Sequence, residues 1–126
     1  LLSKADRHAV PAHRKEETML QEYEIRQRIN RVGRAIGEAA QACSAERNLP
    51  GELRDCIHKL DRHADSAQQV LEPYDVTRLR KMVDELEVLG DRAQRVCRNM
   101  PTLTAQMRSA VQHVHDELAE LKHDLR

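Results

Sequence analysis

Apolar residues recur along this chain at alternating spacings of three and four, the seam expected of a helix packed lengthwise against other helices. The clearest run is Ile25, Ile29, Val32, Ile36, Ala39 and Cys43. A second run joins Leu53, Ile57, Leu60, Ala64, Ala67 and Leu71, and a third joins Val76, Leu79, Val83, Leu86, Gly90, Ala93 and Cys97. The last joins Met107, Val111, Val114, Leu118, Leu121 and Leu125. Breakers separate the runs: Asn48-Leu49-Pro50-Gly51, Glu72-Pro73-Tyr74 and Asn99-Met100-Pro101-Thr102.

The pattern therefore predicts helices over about 12–47, 51–72, 75–99 and 102–126, with Asp75 and Thr102 as N-caps. Residues 1–11 read as an N-terminal arm or linker, because Pro11 disfavours helical geometry at Val10 and removes a backbone donor. Short connections force antiparallel neighbours. The expected fold is all-α, an antiparallel up-down-up-down four-helix bundle over 12–126 whose long first helix projects beyond it.

Antiparallel registration allows the core layers to be written down. One end combines Ile25, Leu71, Leu79 and Leu121; below it lie Ile29, Ala67, Val83 and Leu118, then Val32, Ala64, Leu86 and Val114. Next come Ile36, Leu60, Gly90 and Val111, then Ala39, Ile57, Ala93 and Met107, with Cys43, Leu53, Cys97 and the Leu103/Thr104 pair closing the far end. One flank of each seam is also apolar, as in Ala35 and Ala42, Cys56 and Val70, Met82 and Leu89, and Leu103 and Ala110. Pairing like flanks predicts that helices one and two, and three and four, form the two tighter hairpins. Gly90 costs on the order of 1 kcal/mol relative to Ala in a helix interior, but the seam stays in phase across it, so helix three is expected to be continuous.

Composition agrees with a helical domain. The 126 residues include no Phe or Trp and two Tyr, and 33% are charged, which leaves little material for strands. Lys plus Arg equals Asp plus Glu at 21 each, so the net positive field that supports nucleic-acid binding is missing. Arg outnumbers Lys by 16 to 5, the bias of a GC-rich, bacterial type of genome. Three cysteines do not make a disulfide framework, and no apolar run reaches the ~20 residues of a membrane span. With no signal peptide in view, a cytoplasmic protein with no membrane or nucleic-acid partner is expected.

Catalytic and cofactor motifs are missing. There is no phosphate-binding glycine loop, H-E-x-x-H or G-x-S-x-G, and no small-molecule substrate suggests itself. The layers contain no Glu, Asp or His, which argues against a di-iron or haem centre within the bundle. His113 stands at helical spacing from Asp116 and Glu117, an ordinary solvated contact. The final residues His123-Asp124-Leu125-Arg126 resemble the opening of the phospho-accepting box of sensor histidine kinases. That resemblance covers four residues and stops before the family's proline, so no role is carried onto His123.

Two features invite a functional reading. Cys43, Cys56 and Cys97 gather at one end of the expected bundle, with Arg47, Arg54 and Arg98 near in sequence to lower a thiol pKa. This would suit a thiol-based metal or redox sensor, although there is no C-x-x-C and no fourth ligand for zinc. The other feature is the overhang: residues 12–21 extend roughly 15 Å beyond the reach of helices two to four. Met19, Leu20 and Tyr23 lie at that end, off the Ile25–Cys43 phase, and form an apolar patch of the kind that marks association. A stripe of small residues, Gly33, Gly37, Ala40 and Ser44, is attributed to tight packing within the bundle. The function expected is thus a non-enzymatic, cofactor-free interaction or regulatory module, a homodimer through the N-terminal part of helix one, with the thiol sensor as the alternative.

Overall fold

The computed structural model describes the backbone of residues 2–126 and the side chains of residues 21–126 other than Gln68 and Val70. Four helices account for most of it: α1 (Leu2–Ala45), α2 (Gly51–Leu71), α3 (Val76–Arg98) and α4 (Ala105–Asp124). No strand occurs among the described residues. The packed pairs are α1 with α4, α2 with α3, α3 with α4 and α1 with α2. Each of the four seams is buried, with only Ala64 and Val76 left partly exposed. Among the described residues no polar or charged one is buried, so the core is held by apolar contact alone.

The first boundary differs from expectation. α1 starts at Leu2 rather than residue 12 and passes through Pro11, where an arm or linker was expected. A proline removes one backbone donor and crowds the carbonyl four residues earlier, and neither effect ends this helix. α3, in contrast, runs unbroken through Gly90 as its phase requires. There a Cβ would lie 3.1 Å from Leu118 Cδ1, tighter than an ordinary contact, so an alanine would require that side chain to give by a few tenths of an ångström.

The helix ends show which residues set the register. The Asp75 carboxylate accepts the Thr77 and Arg78 amides at 3.0 and 3.3 Å, the N-cap read from the sequence. α4 is capped by Thr104 and not Thr102, the hydroxyl accepting the Met107 amide at 3.2 Å. Leu103 is tucked under the core within the connection. Arg108 donates to the Cys97 carbonyl at 3.0 Å and also to that of Met100, satisfying acceptors that the end of α3 leaves open.

This later start moves α4. Arg28 of α1 bonds Glu120 and Asp124, and Glu38 meets His113; from α3, Asp91 meets His115 and Gln94 bonds Gln112. Apart from Arg28–Glu120, which fits the expected layers, these pairs place α4 about one layer later than expected, a displacement of ~5 Å at the helical rise. Leu125 is drawn into the end of the core, where it is buried and its carbonyl accepts Arg80 at 2.9 Å. The connection absorbs the shift because it is longer than a helix start at residue 102 allows.

α1 meets α4 more extensively than it meets α2, so helices one and two are not the tighter pair expected, while α3 meets α2 and α4 about equally. Ala42 of α1 and Ala110 of α4 line one cleft, and Met82 of α3 lines another with His63 and Ser66 of α2. Like flanks do meet, but across the other two neighbours. Four helices with one apolar flank each satisfy that rule in either of two cyclic arrangements of opposite hand. The seam pattern is the same in both.

Candidate functional site

The end of the helices near Tyr23 is defined by charged groups around α1. Arg26 pairs with Glu22 at 2.8 Å, donates to the Leu71 carbonyl at 3.2 Å and stacks over the Tyr74 ring at 5.8 Å. Burial, and then the charge of Glu22, push the Tyr74 hydroxyl above its ordinary pKa, with Arg26 opposing. On the other side Arg28 bonds Glu120 at 2.5 Å and Asp124 at 2.8 Å. These bonds tie α1 to the ends of α2 and α4. Tyr23 stands outside them, 61% exposed. Met19 and Leu20, grouped with it in the sequence, lie outside the described side chains.

Cys43, Cys56 and Cys97 are all buried free thiols. Desolvation is the largest influence on each and raises its pKa; Arg54 opposes at Cys43, Arg92 at Cys56 and Arg108 at Cys97. Of the three arginines singled out from sequence, only Arg54 acts this way. Arg92 and Arg108 come from neighbouring helices, and sequence adjacency does not reveal them. Raised thiols are protonated at neutral pH and are weak nucleophiles and ligands. Among the described residues no group of three Cys, His, Asp or Glu is arranged to hold a metal ion.

Two histidines of α4 touch carboxylates of other helices. His113 Nδ1 lies 3.4 Å from Glu38 and Nε2 lies 3.4 Å from Glu117. His115 Nε2 lies 3.3 Å from Asp91, while its Nδ1 and Glu117 Oε2 are enclosed without a hydrogen-bond partner. The Glu38 and Glu117 carboxylates face opposite edges of the His113 ring, so their lone pairs do not converge on one point. The contacts run between α4 and α1 and along α4. Glu117 was legible as an i, i+4 neighbour, whereas Glu38 became visible only with the register of α4.

No family model, curated protein or solved structure matches the chain. Beside Tyr23 a shallow cleft is lined by Glu24, Gln27, Arg28, Arg31 and Asp124. Tyr23 and Val88 are the large apolar side chains exposed among the described residues, and Val88 sits alone on α3. Among the described residues, no helix is long and apolar enough to cross a membrane.

Proposed function

We propose that this chain is a non-enzymatic interaction or regulatory module, an up-down-up-down four-helix bundle whose first helix projects beyond the others and self-associates through its N-terminal part. The length of α1 carries the reading. It has 44 residues against 21, 23 and 20 in α2, α3 and α4, or about 66 Å of helix against about 30–35 Å. A helix twice as long as its neighbours has roughly half its surface beyond their reach, and isolated helix in water is marginally stable. A second copy supplies the missing cover. Tyr23, exposed just outside the charged contacts that tie α1 down, marks where that cover begins.

The all-apolar core and the protonated thiols support a structural and not a chemical role for the bundle. The thiol-sensor alternative draws no comparable support. A cytoplasmic setting belongs to the same proposal. Sedimentation of the intact chain beside a version lacking residues 1–24 tests it: a dimer that becomes a monomer on truncation is expected. A monomer in both cases defeats it.

A further inference from the structure

Self-association through α1, if it holds, still leaves the docking surface for the projecting segment undefined, and the outer face of α1 itself has the features required. Opposite the buried Ile25–Cys43 seam, Tyr23, Gln27, Asn30, Arg34 and Gln41 are all exposed. Helical geometry places Gly33 and Gly37 at the margin of that stripe. An added Cβ at either would meet nothing within 4 Å, so the surface there is low and open, with no intrachain contact requiring glycine. A helix-interior glycine without a packing reason is destabilising, and here two occur one turn apart.

The charges on one flank of the stripe are self-complementary. Glu24 and Arg31 are both exposed and lie seven residues apart, on the same side of the helix. If a second α1 is laid antiparallel on this face and centred near residue 28, Glu24 of each copy falls opposite Arg31 of the other. The same register sets each Tyr23 ring against Arg34 and the open surface at Gly33, a fit of a large side chain into a low one with a cation over the ring. Two-fold pairing makes every such contact twice. A parallel pairing would bring unlike flanks together, setting the Glu24 and Arg31 flank of each copy against the Gly33 and Gly37 flank of the other and leaving these charges without their complements.

We infer that the second copy docks with its α1 antiparallel along the outer face of this α1, joined by two symmetric Glu24–Arg31 pairs with each Tyr23 seated at Gly33 of the other chain. This inference rests on the proposed self-association and specifies its geometry. Each projecting segment is then covered by the α1 surface of the partner bundle, and the partner's segment is covered in return.

Charge reversal in the full-length chain tests it, read as the dimer dissociation constant by sedimentation equilibrium, with helical content measured beside it. Glu24→Arg and Arg31→Glu should each weaken the dimer by about tenfold or more, since each sets like charges opposite one another twice. The double variant E24R/R31E should recover the wild-type constant, which also shows that neither change damages the fold. A dimer indifferent to the single changes, or weakened by them and not recovered in the double variant, overturns this geometry while leaving self-association standing. A monomeric wild-type chain overturns both.

Discussion

Glycine has two different roles in this chain, and only substitution at each position separates them. At Gly33 and Gly37 a methyl group meets open space, so Gly33→Ala and Gly37→Ala should each stabilise the fold by about 0.5–1 kcal/mol through helix propensity. At Gly90 the same change presses on Leu118, which is 1% exposed and has little room to move. Overpacking of ~1–3 kcal/mol offsets the propensity gain there, and Gly90→Ala should unfold at equal or lower urea concentration than the wild type. The thiols add a pH dependence. Their pKa values are raised on folding, so the stability they contribute is complete below the unfolded thiol value of about 8.5 and is lost as pH rises toward the folded values. Urea midpoints should fall between pH 8 and 10, with all three thiols reacting slowly with a thiol reagent at pH 7. Fast stoichiometric labelling would restore the sensor reading. The seam residues themselves were legible in sequence, because a 3.6-residue period leaves one choice of buried face for each helix.

The elements were legible to within a few residues where a local signal marks them. Gly51 and Asp75 begin α2 and α3 as read, since Pro50 and an Asp side chain act on their own neighbours in sequence. The start of α4 was less so, because Thr102 and Thr104 are both plausible caps and only the buried Leu103 between them decides. Thr104→Ala should therefore cost about 1 kcal/mol and Thr102→Ala should stay within about 0.5 kcal/mol, measured by urea unfolding. The beginning of α1 was misread through Pro11. Proline is a probable boundary and not a certain one.

At the scale of the whole molecule, local pattern no longer decides. The layer register of α4 follows from how the 99–104 connection folds, and the choice of neighbour for each apolar flank follows from the hand of the arrangement. Neither leaves a mark on the seams. The bonds Arg28–Glu120, Arg28–Asp124 and Gln94–Gln112 record the outcome, and no spacing rule links residues so far apart in sequence. Tyr23 was legible as an off-phase apolar residue and stands exposed, while the open surface at Gly33 and Gly37, a stripe that the sequence pattern attributes to packing within the chain, was not. The proposal that takes these observations together is that a second copy covers α1. The most direct measurement is sedimentation equilibrium of the intact chain over a dilution series. Self-association predicts a mass of two chains at high concentration, declining toward one on dilution; a mass of one chain at every concentration would contradict it.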